Sequence, residues 1–436
     1  MAKPFGFNVI GHVSGNLGLG VSARNVIQAL LDSDFPVAIL DIDPGLDRGR
    51  HDLSFEQWAV SAPEGLPYAI NLLIFPPPTL GKLVPRYSSF LADPERLNVA
   101  LILWELPVIP RQWRPALEFF DTLVAPSAFI RHTLDVELTT TMTIGARHPL
   151  YLPADVAPDR DRFGLGSGDL VYATTFEPAS DPTRKNVLAV VEAFRRGLSH
   201  SANARLVIRL NNATSVPKEN SAVEALRNAS SRDRRIRLVT EPLHYPDVLS
   251  LFASSDVFVS LHRSEGIGLG PMEAMALGKA CIATAWSGNM DYMDHTNAAL
   301  VPYTLVPVAG ATGAYSDATL RGMPATWADP DIDEAAAWMT RLEKDEAFRR
   351  AMGTRAAAAI GRFQEDAIKV SFAAEIKSFW EHRCYTGRMP NRKERLEAAF
   401  LASVAAKPGR TRAMARLRRA ASQALSRHLL WRFNEL

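Results

Sequence analysis

The amino-acid sequence predicts an α/β fold made of two doubly wound domains. Short apolar runs typical of buried strands alternate with helical segments in two series, which are separated by a segment rich in Pro, Asp and Gly. Because strands that alternate with helices form parallel sheets covered on both faces, each series predicts one such sheet. A chain of 436 residues is long enough for two domains with separate cores. The predicted units are an N-terminal domain at 1–150, a linker at 151–168, a C-terminal domain at 169–380 and a basic helical tail at 381–436.

Each predicted strand is an apolar run bounded by turn residues, and each predicted helix carries apolar residues three or four positions apart. In the first series we predict strands at 7–13, 37–41, 68–74, 98–104 and 122–125, and a helix at 19–31. In the second series we predict strands at 170–176, 205–210, 236–240, 256–261 and 280–285, and helices at 186–198, 222–228, 245–253 and 272–277.

Two glutamates, Glu265 and Glu273, lie eight positions apart in a glycine-rich loop that leads from the strand 256–261 into the helix 272–277. Backbone N–H groups in such a loop and at a helix N-terminus favour anions. Carboxylates, in contrast, accept hydrogen bonds from hydroxyl groups. A ligand that carries both phosphates and sugar hydroxyls, namely a nucleotide sugar, satisfies both requirements. Taken alone, the spacing also fits a simpler interpretation, in which the helix dipole favours a glutamate in the first helical turn.

A diphosphate requires fixed positive charge, and Arg184 and Lys185 supply it near the start of the C-terminal domain. They follow the predicted strand 170–176 and directly precede the predicted helix 186–198. Arg provides a forked donor and Lys a compact charge, so the pair can hold a diphosphate as it departs. The alternative, two surface charges at a helix start, is disfavoured by the helix dipole, which prefers acidic residues there.

The segment 264–275 resembles the E-x7-E motif of retaining glycosyltransferases of the family 4 type, and the continuation at 273–278 is also similar. The resemblance implies the GT-B fold, in which two Rossmann-like domains face each other across a cleft. It also implies transfer of a hexose from a nucleoside diphosphate sugar to a hydroxyl of a glycan or lipid-linked acceptor, with retention at the anomeric carbon. No cofactor is implied.

The same resemblance implies roles for individual residues. Glu273 would bind the ribose hydroxyls, and Glu265 would bind the hydroxyls of the donor sugar. Lys185 and Arg184 would stabilise the leaving diphosphate. The backbone N–H groups implied to contact the donor lie near Gly266, Gly268 and Leu269. Many relatives carry an arginine at the end of the strand that corresponds to 170–176, where this chain has Phe176, so Arg184 is the candidate to replace it.

Gly18 and Gly20 belong to a G-x-G-x-x-A pattern, and Asp41 ends the next predicted strand, which is typical of a dinucleotide-binding fold. However, residues 14–17 separate the strand 7–13 from the first of these glycines, whereas a pyrophosphate-binding turn normally follows its strand directly. A loop that lets a helix pack closely on a sheet would show the same glycines. We interpret the loop as one that faces the cleft, and the resemblance implies that it approaches the donor phosphate or the acceptor.

Glu105 directly follows the buried strand 98–104 and so lies at the strand end where open α/β sheets bind ligands. It is a candidate for contact with the acceptor hydroxyl. Capping of the next turn is the alternative, and the sequence leaves both open.

Composition limits the other possibilities. The two D-x-D pairs, at 41–43 and 329–331, lie among turn residues, and no Cys or His cluster has zinc spacing, so no metal is expected. The two cysteines, Cys281 and Cys384, lie far apart, which predicts a reduced, cytosolic compartment. No signal peptide is expected, and the longest apolar runs are too short to span a bilayer.

Positive charge is concentrated in the tail. From Arg388 onward, twelve Lys or Arg stand against three Glu, so this part carries +9 although the whole chain carries only +2. Between 412 and 427, apolar residues and arginines fall on opposite helical faces. A basic amphipathic helix is typical of a membrane surface, which predicts peripheral contact with the inner face of a membrane, while a solvated terminal helix is the alternative. Because the remainder is acidic, nucleic-acid binding is not expected.

Three functional classes therefore stay open: a glycosyltransferase, a degenerate transferase-like scaffold subunit without activity, and an NAD-dependent oxidoreductase. Hydroxyl-binding acids and phosphate-binding cations in the same domain favour the first.

Overall fold

The computed structural model of the protein describes residues 3–42, 52–138, 141–178, 180–211, 220–367 and 371–386. The basic tail from 387 onward lies outside these ranges, so its predicted amphipathic helix and membrane contact stay predictions. None of the described helices is both long enough and apolar enough to cross a membrane.

The first domain contains a six-stranded parallel sheet. Its strands are β1 (Phe7–Gly11), β2 (Val37–Asp41), β3 (Ile70–Phe75), β4 (Leu97–Ile102), β5 (Thr122–Ala125) and β6 (Met142–Gly145). Its helices are α1 (Gly18–Asp32), α2 (Pro77–Arg86), α3 (Ser88–Leu91), α4 (Arg114–Glu118) and α5 (Ala128–Glu137). The strand order is β2-β1-β3-β4-β5-β6. Every residue of β1, β3 and β4 is buried, as expected for strands covered on both faces.

Three buried asparagines hold the central strands of this sheet in register. Asn8, Asn71 and Asn98 are direct neighbours on β1, β3 and β4. The Asn8 amide donates to Asn71 Oδ1 at 2.9 Å, and the Asn71 amide donates to Asn98 Oδ1 at 2.9 Å. A register slip would leave these buried amides unpaired, which is unfavourable. The ladder therefore helps to align the strand ends that line the cleft.

The second domain repeats the architecture with a second six-stranded parallel sheet. Its strands are β7 (Leu170–Phe176), β8 (Ala204–Leu210), β9 (Ile236–Val239), β10 (Val257–Ser260), β11 (Ala280–Thr284) and β12 (Ala299–Val301). Its helices are α6 (Pro182–Lys185), α7 (Val187–Gly197), α8 (Ser221–Arg232), α9 (Tyr245–Ser254) and α10 (Leu269–Ala276). The strand order is β12-β11-β10-β7-β8-β9. The segment 151–168, between the two sheets, contains neither helix nor strand.

An antiparallel hairpin, which the sequence analysis does not predict, follows the second sheet. It consists of β13 (Tyr303–Pro307) and β14 (Thr326–Pro330), joined by a loop that contains the 3-10 turn Gly313–Tyr315 and α11 (Asp317–Leu320). Trp327 of β14 is buried in the same apolar cluster as Trp104 of the first domain. Gln112 of the first domain donates a hydrogen bond to the Thr319 carbonyl at 2.9 Å. The hairpin therefore connects the two domains beside the cleft.

The chain then forms α12 (Ile332–Lys344), α13 (Glu346–Ala367) and α14 (Ser371–Thr386). The helix α14 packs on the first domain, where the ring centroids of Trp380 and Phe5 lie 5.2 Å apart. The Lys377 ammonium lies 5.8 Å from the centroid of the same Phe5 ring. The two domains are thus joined by the end of the described chain as well as by the segment between the sheets.

The predicted fold class is confirmed, since both domains are α/β units with parallel sheets. All ten predicted strands are present, and each sheet has one further strand, β6 or β12, that the sequence analysis does not predict. The helix predicted at 186–198 corresponds to α7, which starts one residue later. Residue Asn186 adopts a left-handed conformation with φ of 52° and separates the one-turn helix α6 from α7.

Candidate active site

A cleft with a volume of about 510 Å³ lies between the two domains. Its walls come from residues at or after the C-terminal ends of β3, β4, β7, β8 and β10, from the loop before α1 and from the hairpin loop. Open α/β sheets bind ligands at this edge. Every site residue predicted from sequence lines the cleft, with the exception of Gly20.

The loop after β10 contacts the first domain directly. A Cβ atom on Gly266 would lie 2.7 Å from the carbonyl oxygen of Trp104 in the first domain, so only glycine fits. The Ser127 hydroxyl of the first domain donates to the Gly266 carbonyl at 2.6 Å. Within the second domain, the Tyr292 hydroxyl donates to the Gly268 carbonyl at 2.6 Å. These contacts fix the loop against the opposite wall.

The helix α10 begins at Leu269, three residues earlier than predicted. Gly268, with φ of 83°, lies at its N-cap position. Glu273 therefore lies in the second turn of the helix, and the expectation of a first-turn glutamate favoured by the helix dipole is wrong. The first-turn N–H groups of Leu269 and Gly270 have no partner within the helix, and both residues line the cleft. Because these amides carry the positive end of the helix dipole, they favour an anion in the cleft.

Glu265 is buried and is held by two cations. Lys185 Nζ lies 2.5 Å from Glu265 Oε1, and Arg184 Nη1 lies 3.3 Å from Glu265 Oε2. Although burial favours the protonated form, Lys185 and Arg184 lower the pKa of Glu265 to about 2. Glu265 is therefore a carboxylate at every physiological pH and accepts hydrogen bonds without donating any.

Glu105 belongs to the same charge network. Its carboxylate lies 3.7 Å from Arg184 Nη2 and accepts a hydrogen bond of 2.6 Å from the Tyr315 hydroxyl. The Tyr315 ring stacks on Trp104, with ring centroids 5.4 Å apart and an interplanar angle of 17°. The Arg184 guanidinium lies over the same Tyr315 ring, 5.4 Å from the ring centroid. The carboxylate of Glu105 thus faces the charged groups of the second domain across the cleft.

Arg184 is almost fully buried, with 3% of its side chain exposed. Besides its ion pairs, its guanidinium donates to the Ser264 carbonyl at 2.7 Å and to the Ser180 hydroxyl at 3.1 Å. Although burial opposes the charge, Glu105, Tyr315 and Glu265 raise the pKa of Arg184. Lys185 is more accessible, with 26% of its side chain exposed. The two neighbours in sequence therefore differ, since Arg184 is engaged by the protein and Lys185 is open to the cleft.

Glu273 lies in the same cleft with different partners. The Tyr245 hydroxyl donates to Glu273 Oε1 at 3.0 Å. Burial raises the pKa of Glu273 to about 7, and this hydrogen bond together with the charges of Arg209 and Arg24 offsets only part of the effect. This carboxyl therefore changes its ionisation near neutral pH.

The glycine loop before α1 faces the cleft at Gly18 and packs on itself at Gly20. A Cβ atom on Gly20 would lie 2.1 Å from the Gly15 carbonyl oxygen, so close packing accounts for this glycine. Asp41 accepts a hydrogen bond of 3.2 Å from the Ser14 amide. Gly20 and Asp41 therefore each have a structural role, Gly20 within the loop and Asp41 as a partner of the loop.

Several polar residues of the cleft escape sequence reasoning. They are Tyr245, Arg209, Asn211 and Tyr315. Arg209 and Asn211 flank the end of β8, and strand ends of a parallel sheet are a signal that could have found them. Tyr315 lies in a hairpin loop without any motif, so no local signal points to it. Among the described residues, no group of three or more His, Cys, Asp or Glu is arranged to hold a metal ion.

Residues 170–319 match the family model described as "Glycosyl transferases group 1". The matched segment includes Arg184, Lys185, Glu265 and Glu273. The match supports a glycosyltransferase. No curated protein sequence matches the chain.

Solved structures share the fold over nearly the whole chain. HepE from Anabaena, solved with UDP and glucose, is 14% identical over 86% of this chain and 100% of its own, with a TM-score of 0.59. Sucrose-phosphate synthase from Thermosynechococcus elongatus is 16% identical over 87% of this chain and 100% of its own, with a TM-score of 0.61. A UDP-forming α,α-trehalose-phosphate synthase from Burkholderia vietnamiensis is 10% identical over 87% and 100%, with a TM-score of 0.58. These likenesses confirm the predicted GT-B fold.

Proposed function

We propose that the protein is a retaining glycosyltransferase that moves a hexose from a nucleoside diphosphate sugar to a hydroxyl of a glycan or lipid-linked acceptor. One observation carries the proposal: a single cleft holds an ionised glutamate with a cation open to the cleft, a second buried glutamate, and the N-terminus of α10 beside both. Hydroxyl acceptors, a phosphate-binding cation and free amides together match the chemistry of one ligand, a nucleotide sugar.

In this proposal each end of the cleft binds one part of the donor. Glu273 accepts hydrogen bonds from the ribose hydroxyls, and Glu265 accepts them from the hydroxyls of the transferred sugar. The amides near Gly266, Gly268 and Leu269 contact the sugar and the phosphates. Arg184 keeps Glu265 ionised and correctly placed, because its Nη1 is engaged by Glu265 and by the Ser264 carbonyl. Glu105, which faces this end from the first domain, lies on the acceptor side.

Lys185 is the group that stabilises the leaving diphosphate. Its ammonium is bonded to Glu265, and it transfers to the donor phosphates when the sugar hydroxyls satisfy Glu265. The bond between the anomeric carbon and the diphosphate oxygen breaks, and the acceptor oxygen bonds to the same face of the sugar. The acceptor proton passes to the leaving phosphate, so no separate protein base is required. Electrostatic stabilisation by one well-placed group supplies about 3 to 4 kcal/mol.

The solved structures guide the choice of donor. HepE from Anabaena is described in complex with UDP-glucose as well as with UDP and glucose. We therefore propose UDP-sugars as the first donors to test and GDP-sugars as the second. Contact of the basic tail with a membrane, which would favour a lipid-linked acceptor, is part of the proposal and lies outside the described residues.

A donor panel tests the proposal. Isothermal titration of the full chain with UDP-glucose, UDP-N-acetylglucosamine, GDP-mannose and NAD is expected to give binding of at least one nucleotide sugar and none of NAD. The Glu273→Gln variant is expected to lose most of this affinity, whereas Glu95→Gln, at an exposed position, keeps it. Binding of NAD in place of every nucleotide sugar would point to the oxidoreductase, and absence of all binding to the scaffold subunit.

Stereochemistry tests the finer part of the proposal. With a donor that binds and a panel of sugar and lipid acceptors, proton NMR of the early product is expected to give the same anomeric configuration as the donor. An inverted product would overturn the retaining mechanism while leaving the transferase activity intact.

A further inference from the structure

A buried arginine on the second-domain wall of the cleft forms no ion pair with any residue that the structure describes. Arg209 is the penultimate residue of β8, lies beside Thr175 of β7 and lines the cleft. It is only 8% exposed. Its Nη2 donates to Asn211 Oδ1 at 2.6 Å, and its Nη1 lies 3.5 Å from Thr175 Oγ1. Its Nε is buried without a hydrogen-bond partner.

The other two cations that line the cleft already have carboxylate partners. Lys185 and Arg184 both pair with Glu265, and Arg184 also faces Glu105. Burial lowers the pKa of Arg209 to about 10, and Glu177 and Glu273 offset only part of this effect. A buried charge without a partner is unfavourable unless an anion compensates it. Arg209 is therefore the cation of the cleft that most needs an anionic ligand.

The guanidinium is also held in place before any ligand arrives. Asn211, which accepts its hydrogen bond, donates to Glu177 Oε2 at 2.7 Å and to the Asn16 carbonyl of the first domain at 3.0 Å. Asn16 in turn donates to the Leu243 carbonyl at 3.1 Å. A donor group fixed in this way loses little conformational freedom on binding, which favours affinity.

The two glutamates that line the cleft have different cations near them. Arg209 interacts electrostatically with Glu177 and with Glu273, whereas Lys185 is bonded to Glu265. Under the proposed function, Glu273 binds the ribose and Glu265 the transferred sugar. The phosphate attached to the ribose then lies nearer to Arg209, and the phosphate attached to the sugar lies nearer to Lys185.

We infer that Arg209 binds the α-phosphate of the donor, while Lys185 binds the β-phosphate. This inference rests on the proposed function. It divides the diphosphate between two cations, Arg209 near the end of β8 and Lys185 at the end of α6. Arg209 is held in place by Asn211, and Lys185 exchanges its contact with Glu265 for one with phosphate.

A ligand series tests the division. Uridine, UMP and UDP are titrated into the full chain, with guanosine, GMP and GDP used instead if the donor panel selects guanine. Wild-type protein is expected to bind UMP about 10- to 100-fold more tightly than uridine, which is the range for one charge-assisted hydrogen-bonding group. Arg209→Gln is expected to remove this gain, for UMP and UDP alike. Lys185→Ala is expected to weaken only UDP.

Matched variants separate a ligand contact from a structural role. Arg205→Gln, on the same strand but at the end away from the cleft, is expected to keep the wild-type affinities. Arg209→Lys is expected to retain part of the UMP affinity, because it keeps the charge. Thermal unfolding of Arg209→Gln is expected at or above the wild-type midpoint, since a buried charge without an ion pair is removed.

The outcomes are distinguishable. If Arg209→Gln keeps the wild-type ratio of UMP to uridine affinity, the inference is wrong and the proposed function stands. If Arg209→Gln does not fold, the wild-type series and Arg209→Lys still decide, because equal affinity of wild-type protein for uridine and UMP contradicts an α-phosphate contact. If wild-type protein binds neither series nor any nucleotide sugar, both the inference and the proposed function fail.

Discussion

Glu265 and Glu273 are the same residue type and are almost equally buried, at 8% and 5% exposed, yet their surroundings drive their ionisation in opposite directions. Burial favours the protonated form of both. At Glu265, Lys185 and Arg184 outweigh burial and lower the pKa to about 2. At Glu273, burial prevails over the Tyr245 hydrogen bond and raises the pKa to about 7.

Direct ion pairing, rather than burial, therefore accounts for the different pKa values of these two carboxyl groups. Two cations lie within 3.3 Å of Glu265, while Glu273 has a neutral hydroxyl as its hydrogen-bond partner. The Glu265 carboxyl is therefore permanently charged, and the Glu273 carboxyl responds to pH.

Removal of Lys185, the accessible cation beside Glu265, is expected to have the largest effect on sugar transfer. Lys185→Ala should reduce kcat for sugar transfer by about 100- to 1000-fold, because the charge that builds on the leaving diphosphate loses its partner. Steady-state rates with a saturating donor measure this effect. Lys344→Ala, at an exposed position of α12, is the control and should keep the wild-type rate. A wild-type kcat in Lys185→Ala would contradict the assigned role.

The same substitution at the two glutamates is expected to change stability with opposite signs. The lowered pKa of Glu265 contributes stability that is present above pH 4.5 and is lost as the pH falls towards 2, so Glu265→Gln should destabilise the protein at pH 8. The raised pKa of Glu273 makes the ionised form a destabilising group above about pH 7, which is relieved as the pH falls towards 4.5, so Glu273→Gln should stabilise it. Each change is on the order of 2 to 3 kcal/mol.

Thermal unfolding of the two variants at pH 8 measures these signs, with Glu95→Gln as a matched control at an exposed position. If the unfolding midpoint shifts in the same direction for Glu265→Gln and Glu273→Gln, the expected opposite effects of the two carboxyl groups on stability are contradicted.

The pH dependence of uridine binding tests the ionisation of Glu273. Under the proposed function an ionised Glu273 accepts hydrogen bonds from the ribose hydroxyls, so uridine affinity should fall about tenfold between pH 8 and pH 6, as the pKa of about 7 requires. Titration with uridine avoids ionisation of phosphate groups. The profile should become flat in Glu273→Gln, and an unchanged profile in that variant would assign the dependence to another group.

The smallest effect is expected at Tyr315, whose hydroxyl links the hairpin to the Glu265 end through Glu105. Tyr315→Phe removes one hydrogen bond and keeps the ring stacked on Trp104, so transfer should slow by about two- to tenfold. Competition assays at a fixed donor concentration can resolve a change of this size. Tyr303→Phe, on the same hairpin, is the control, and an equal loss in both variants would mean that the hairpin acts only through its packing.

Much of the fold could be predicted because its signals are local. The apolar run ahead of Glu265 and the glycines after it act over a few positions, so the strand, loop and helix are found from sequence. The differences are local too: α7 begins one residue later than predicted, after the left-handed Asn186, and α10 begins three residues early at Leu269 because Gly268 supplies its cap. The hairpin that carries Tyr315 escaped prediction, since its two short strands pair with each other across a long loop.

The two parallel-sheet domains follow from the sequence, because periodicity and turn chemistry are properties of neighbouring positions. The residues to test, Glu265, Glu273, Arg184 and Lys185, follow from short motifs in the same way. How these groups are charged depends instead on the tertiary structure. Glu265 meets Lys185 across 80 positions, and Glu105 meets Tyr315 across 210. Such contacts depend on strand order and on the closeness of the two domains. Since the interaction between charges grows steeply as distance and solvent decrease, the same glutamate side chain becomes a fixed anion at one end of the cleft and a titrating group at the other.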